Sequence, residues 1–395
     1  METSTLWLYY LRMKGKLIYI GSNIPDKTPA AVRVFANALA LREYGFDVKI
    51  ISKDIDYQTE FDQNEGIDTW HLKRASTTSE WISALVDINP YIRIIDKLHD
   101  ARVVIAYELP AIAFIKLHHY CKQKGIKLIC ETAEWQRWEN LGYLGFLART
   151  VRLADINLSM HNAYRKSDGV IVTSHYFANY FKNELPVLSL PTLQCYKMGI
   201  DDNPIHNHPR KFIYAGDLGY QKDMLSEIIH AFSEIKDRNY ELNILGLTVE
   251  QYSLQFKDDI PMINSINQER EKIKFWGSIP HTTVLTELMK SDFSLIIRQS
   301  SHRNNVGFPT KFGESINCGT PVIVSDFSDV VFYTELYKVG IVTKVNRIKD
   351  ALYQALDMDE DSLNQMRKRC RECDAFYYKG HVNEIGVFVE LVLNN

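Results

Sequence analysis

Apolar residues fall into short β-branched runs separated by stretches with helical spacing. Residues 16–22 (KLIYIGS) form the first run, and 29–45 (PAAVRVFANALALREYG) follow with apolar positions three and four apart and a closing glycine. The run DVKIIS (47–52) comes next; then ARVVIAYE (101–108), a helical stretch to Gly125 and IKLICE (126–131) repeat the alternation. GVIVTS (169–174) adds another strand, before a helix over about His175–Asn183 and a loop around Pro186 and Pro191. Alternation of this kind predicts a parallel, doubly wound sheet with helices on both faces.

The same grammar restarts at Lys211. KFIYAGD (211–217), a helix over about Asp223–Lys236, YELNILG (240–246), KIKFWGS (272–278), a helix near His281–Lys290, FSLIIR (293–298), a helix over Lys311–Cys318 and PVIVSD (321–326) make a second α/β domain. Residues 195–210 hold neither periodicity and contain two prolines, which makes them the expected linker. The expected organisation is an N-terminal Rossmann-like domain over 1–194, the linker, and a C-terminal Rossmann-like domain over 211–374. The helices about 375–395 are expected to pack back on the first domain. Two such sheets are expected to face a cleft, because ligands of open α/β sheets bind beyond the carboxyl ends of the strands.

The 395 residues are 46% hydrophobic and 24% charged, which excludes a disordered or collagen-like chain. A net charge of −3 supplies no global positive field for nucleic acid, so any anion site must be local. Six scattered cysteines read as reduced thiols of a cytoplasmic protein. Glu2, Arg12, Lys14 and Lys16 break the N-terminal apolar stretch, which does not read as a secretion signal, and no run of about 18 apolar residues would span a bilayer.

The chemistry concentrates in Gly307–Ser325, GFPTKFGESINCGTPVIVS. Pro309 is placed to open a helix whose free N–H groups favour a phosphate, and Lys311 adds a positive charge there. Glu314, one turn on, offers two acceptor oxygens to a pair of ribose hydroxyls, and Gly319 closes the helix.

This segment resembles the nucleotide-binding signature of the group 1 retaining glycosyltransferases of GT-B fold. YAGDLGYQKD (214–223) is similar to that family's glycine-rich turn with a following lysine. NILG (243–246), FWGSIP (275–280) and KSDFSLII (290–297) match its later strand ends in order and spacing. The resemblance implies a nucleotide-diphosphate sugar bound mainly by the second domain. Glu314, Lys311, Thr310, Gly216, Asp217, Gly219, Trp276, Ile279 and Arg303 are then donor-binding candidates, and Lys222 and Arg298 are cations for the departing diphosphate. It implies no cofactor and no metal, and no DxD-type carboxylate pair stands where it would hold a divalent ion. Two departures stand out. Val306 occupies the place of the family's first, sugar-facing glutamate, as in a surface-polysaccharide subgroup, and Asp217 and Leu218 stand where the turn often carries arginine.

The first domain is looser. SNIPDKTPAA (22–31) replaces a glycine-rich turn, with Arg33 following on the helix. Glu131 and Glu134 in ICETAEW (129–135) are candidates to orient the acceptor hydroxyl, and Arg33 and Ser174 are acceptor-side candidates. Residues 135–166 set five cations against two carboxylates among Trp135, Trp138, Tyr143, Leu144, Phe146 and Leu147. That composition suits a core-facing helix with a wet basic side, or a peripheral contact with the inner face of the cytoplasmic membrane beside a lipid-linked acceptor. Cys370 and Cys373 have no second pair for zinc, and His206 and His208 have no neighbouring ligands.

The expected activity is sugar transfer from a nucleotide-diphosphate donor to a glycan or lipid-linked glycan with retention of configuration, in polysaccharide or cell-envelope assembly. The alternatives are a non-catalytic nucleotide- or glycan-binding partner subunit and a nucleotide-sugar epimerase.

Overall fold

The structure is a computed structural model that describes residues 14–24, 28–54, 59–135, 141, 145–198, 209–216 and 222–395. Within them the chain divides into two compact units. One runs to Cys195 and resumes at Tyr377–Asn395; the other is Tyr196–Phe376. Most of the expected linker lies outside the described residues.

The first unit is built on strands β1 (Lys16–Ser22), β2 (Asp47–Asp54), β3 (Phe61–Asn64), β4 (Ile67–Lys73), β5 (Ala101–Tyr107), β6 (Lys127–Glu131), β7 (Gly169–Val172) and β8 (Val187–Ser189). Their order is β3-β4-β2-β1-β5-β6-β7-β8. All neighbours are parallel except β3, which runs antiparallel to β4 at the edge. Leu17, Ile18, Val103, Val104, Ile129 and Val170 are fully buried, as a sheet covered on both faces requires.

The helix Pro29–Tyr44 starts cleanly. The Thr28 hydroxyl accepts from the Ala31 N–H, Pro29 holds the first turn, and Gly45 ends the helix at φ 115°. Its apolar face shares one core with the chain's last helix, Val382–Asn394, through Ile385, Phe388, Val389 and Val392. Each fully buried side chain of this kind contributes about 1.5–3 kcal/mol. Gly386 lets the helices approach, since a Cβ there would collide with the Tyr44 ring. Glu390 then accepts from Lys14 Nζ (2.6 Å) and Tyr44 OH (2.7 Å).

The second unit holds β9 (Arg210–Ala215), β10 (Tyr240–Leu245), β11 (Ile273–Phe275), β12 (Phe293–Ile296), β13 (Val322–Ser325) and β14 (Gly340–Thr343). Every neighbour in the order β11-β10-β9-β12-β13-β14 is parallel. A buried ion pair, Arg367 Nη2 to Asp292 Oδ1 at 2.6 Å, ties the helix Glu360–Glu372 to the start of β12. Cys370 and Cys373 lie in the adjoining apolar cluster, and burial pushes both thiols up, so this pair packs rather than reacts. The winding direction reverses between β9 and β12, which puts the second unit's topological switch point beyond their carboxyl ends.

Candidate active site

The switch point of the second unit carries a charged cluster. Asp223, on the segment after β9, is 9% exposed and accepts from Arg298 Nε at 2.5 Å and from Tyr214 OH at 2.9 Å. Its second oxygen also pairs with the Lys311 ammonium, which stands 4.4 Å from the centre of the Tyr214 ring. Arg298 follows β12, Lys311 lies in the first turn of the helix Thr310–Asn317, and Tyr214 is in β9. Three separated segments therefore deliver one carboxylate and two cations to a single spot. Both cations hold the Asp223 carboxyl well below the usual carboxylate range despite its burial.

Two glycines make room for this cluster. Gly216 ends β9 at φ 149°, and a Cβ there would collide with the Lys311 ammonium. Gly246, at φ 106° beyond β10, lies so close that a Cβ would come within 2.6 Å of the Gly216 carbonyl oxygen. The first turn of Thr310–Asn317 has no side-chain cap at Pro309, so Thr310 and Lys311 open a helix end suited to an oxyanion.

One turn on, the half-buried Glu314 has Oε1 3.0 Å from His281 Nε2. Trp276, just past β11, is 41% exposed and donates its indole N–H to Asn243 Oδ1 at 2.8 Å. Ile279 packs beside Leu285 and Leu288. Arg303 lies on the short helix His302–Val306, which ends at the fully buried Val306. Lys222 directly precedes Asp223, while Asp217 and Gly219 lie outside the described residues. Sequence reasoning missed Asp223, Tyr214, His281 and Asn243. Asp223 had one signal, its place directly after the lysine of the glycine-rich turn.

In the first unit, Arg33 and Glu131 face each other rather than open space. Arg33 Nε lies 2.6 Å from Glu131 Oε1, and both residues are essentially buried. Asn37 Nδ2 donates to the same oxygen at 2.9 Å, Tyr19 OH donates to the other, and Arg33 Nη1 donates to the Leu190 and Pro191 carbonyls at 3.0 Å. Ser174 is also buried, and its hydroxyl accepts the Phe177 N–H at a helix start. These residues hold elements together at the carboxyl ends of β6 and β7.

Glu134 is exposed, and beside it stands a carboxylate that the sequence did not single out. Glu108, just past β5 at φ 46°, accepts from the N–H groups of Ala133 (3.2 Å) and Glu134 (3.1 Å). Burial first, then the Glu134 charge, pushes the Glu108 carboxyl up to about 7. A carboxyl raised in the folded state makes stability fall as pH climbs from about 4.5 to about 7. Glu108→Gln keeps the acceptor oxygen and removes the charge. It is therefore expected to be more stable than the parent by about 3 kcal/mol at pH 8 and equal to it near pH 4. Urea midpoints at both pH values test this, and an identical difference at both would show that Glu108 does not titrate in this range.

With the geometry in place, comparisons with known proteins are informative. Residues 200–373 match the family model described as Glycosyl transferases group 1. Sucrose-phosphate synthase from Thermosynechococcus elongatus aligns over 96% of this chain and 99% of its own, with a TM-score of 0.68 and 14% identity. A structure described as trehalose-6-phosphate from E. coli bound with UDP-2-fluoro glucose covers 96% and 99%, with a TM-score of 0.62 and 9% identity. WaaG, a glycosyltransferase involved in lipopolysaccharide biosynthesis, covers 95% and 98%, with a TM-score of 0.58 and 13% identity. No curated protein sequence matches the chain significantly. Residues 200–373 thus match the glycosyl transferases group 1 model, in a chain whose two Rossmann-like halves have the fold of GT-B glycosyltransferases.

Proposed function

We propose that the protein transfers a sugar from a nucleotide-diphosphate donor to a hydroxyl of a glycan or lipid-linked glycan, with retention of configuration. The observation that carries this reading is the pair of cations, Arg298 and Lys311, preorganised by Asp223 at the switch point of the unit that matches the group 1 model. A departing nucleoside diphosphate gains negative charge as the glycosidic bond breaks, and fixed cations beside a free helix end stabilise that charge.

In this reading the helix Thr310–Asn317 and Gly216 receive the diphosphate, and Lys222 adds charge to it. Glu314 takes the ribose hydroxyls in exchange for His281, and the exposed Trp276 ring and Ile279 border the base. Arg303 stands near enough in sequence to Arg298 to supplement it. Retention fits front-face transfer, in which the leaving phosphate itself accepts the proton of the attacking hydroxyl, so no strong protein base is required. Glu131, Arg33 and Ser174 are assigned to positioning, and Glu134 with Glu108 to the acceptor side, because those two line one pocket beyond β5. Because side chains supply the positive charge, turnover is expected to persist in EDTA.

The test is release of nucleoside diphosphate from nucleotide sugars by the purified chain, with and without glycan acceptors, in EDTA, and the anomeric configuration of any product by NMR. Transfer with retention, weakened at least 10-fold in Glu314→Ala and unchanged in Cys370→Ala, is the expected result. Nucleotide binding without turnover over a broad acceptor panel would favour a partner subunit instead.

A role in cell-envelope glycan assembly is supported by the likeness to WaaG. Among the described residues no helix is long and apolar enough to cross a membrane. Phe146 and Leu147 open the helix Phe146–Leu158 at 78% and 77% exposure, with the half-buried Arg149 beside them. We place a peripheral membrane contact there, since aromatic and aliphatic side chains next to cations suit an anionic leaflet. Sedimentation with vesicles containing phosphatidylglycerol is expected for the parent and reduced severalfold for the Phe146→Ser, Leu147→Ser double variant. Equal sedimentation of both would remove the contact.

A further inference from the structure

The first unit contains a cavity of about 310 Å³ that none of the preceding chemistry uses. It lies beyond the carboxyl ends of β2 and β4 and is walled by the helices Thr78–Ala84 and Asn89–Leu98. Three cations line it: Lys53 near the end of β2, Lys73 at the end of β4, and Arg74 immediately after. The parallel register sets Lys53 opposite Leu72 and Asp54 opposite Lys73, which brings the three cationic positions to one corner of the sheet.

Two carboxylates also line the cavity, and both are engaged with backbone. Glu80 accepts from the N–H groups of Ser76 (2.8 Å) and Thr77 (3.1 Å) and from Ser76 Oγ (2.9 Å) in a capping box, and Asp87 accepts from Asn89 N–H at 3.0 Å. Lys53 instead has its ammonium 4.9 Å from the centre of the Tyr91 ring. Burial pushes the Lys53 pKa down, and the Arg74 charge adds to that while Asp87 opposes it. The lowering comes from desolvation, which the Asp87 carboxylate offsets only in part.

Tyr91 supplies an independent observation. It lines the cavity, is 1% exposed, and its hydroxyl has no hydrogen-bond partner. A buried donor left unpaired is unfavourable, and an oxyanion entering the cavity would accept its proton. The volume, about 310 Å³, is that of a sugar-sized guest rather than of a single ion.

We propose that this cavity is an oxyanion subsite for a sugar-sized ligand carrying a phosphate or carboxylate, held by Lys53, Lys73 and Arg74 and by the Tyr91 hydroxyl. The site uses no residue of the second unit, so it stands or falls separately from the nucleotide reading.

Equilibrium dialysis of the full chain with labelled inorganic phosphate tests it, with glucose 6-phosphate, glucuronate and glucose as competitors. Saturable phosphate binding is expected to persist in Lys311→Ala, which removes a cation of the second unit. It is expected to weaken about 10-fold in Arg74→Ala and about 3- to 10-fold in Tyr91→Phe, an isosteric change that keeps the ring in place. Glucose 6-phosphate and glucuronate should compete at lower concentration than phosphate itself, and glucose should not compete. Binding lost in Lys311→Ala and intact in Arg74→Ala and Tyr91→Phe would overturn the proposal. So would equal competition by neutral glucose, or no saturable binding in a parent whose thermal transition shows it folded.

Discussion

Asp223→Ala is expected to cost about 3–5 kcal/mol of stability, the range for removing one partner of a buried charge cluster. Three groups each lose an acceptor at once. Arg298 Nε, Lys311 Nζ and Tyr214 OH all converge on this carboxylate, and the two cations then stand close together with side chains only 14% and 20% exposed. Repulsion between the cations adds to the loss, and the measurement is the shift in denaturant midpoint at constant slope. A loss below about 1 kcal/mol would mean that the cluster relaxes into water and is not preorganised. The sign with pH follows from the depressed carboxyl: its contribution is fully present above the ordinary carboxylate range. It is lost only as pH falls through the lower folded value, so the difference between parent and variant should be flat from pH 5 to 8.

The second large effect is catalytic. Arg298→Ala and Lys311→Ala are each expected to lower kcat/KM for the nucleotide-sugar donor about 100- to 1,000-fold, the usual consequence of losing one preorganised charge aimed at a transition-state anion. Most of the loss should appear in kcat, because the leaving diphosphate carries more negative charge in the transition state than in the ground state. Asp223 matters here too: it fixes where the two cations stand and lowers their summed charge to one, so a diphosphate can enter and later leave. A change confined to KM in both variants would show that the cations hold the donor equally in ground and transition states, and would move the leaving-group role elsewhere.

How much of this was legible beforehand depended on sequence distance and on which residues face inward. The strands β1, β5, β6, β9, β10, β12 and β13 announced themselves as β-branched runs because both faces of the sheet are covered. The pair β3–β4 escaped notice. The inward positions of β4 include Thr69 and His71, and the latter pairs with Asp54, so the apolar alternation that marks a half-buried strand is missing. In β8 and β14 only Leu188 and Ile341 are buried, so neither carries the fully buried run that marks β12 and β13.

The site divides in the same way. Gly307–Ser325 reads as loop, helix and strand from its own punctuation, and the helix forms over Thr310–Asn317 with Gly319 at φ 73° beyond it. What stayed hidden was who pairs with whom. Asp223 meets Arg298 across 75 residues and Lys311 across 88, and Arg33 meets Glu131 across 98. Such pairs are created by the order of strands in the sheet, and no local spacing encodes them. Glu131 shows the consequence: at a strand end it reads as a group facing ligand, yet its oxygens serve Arg33, Asn37 and Tyr19.

The most direct test of the donor site is a metal-free thermal-shift series with UDP, GDP, ADP, CDP and their sugar conjugates on the parent, Lys311→Ala and Glu314→Ala. A ligand that binds only the folded state raises the melting temperature by mass action. The account predicts a rise with one nucleoside diphosphate and its sugar conjugates, lost in Glu314→Ala and strongly reduced in Lys311→Ala. No rise with any of them in a parent that melts cooperatively would contradict it.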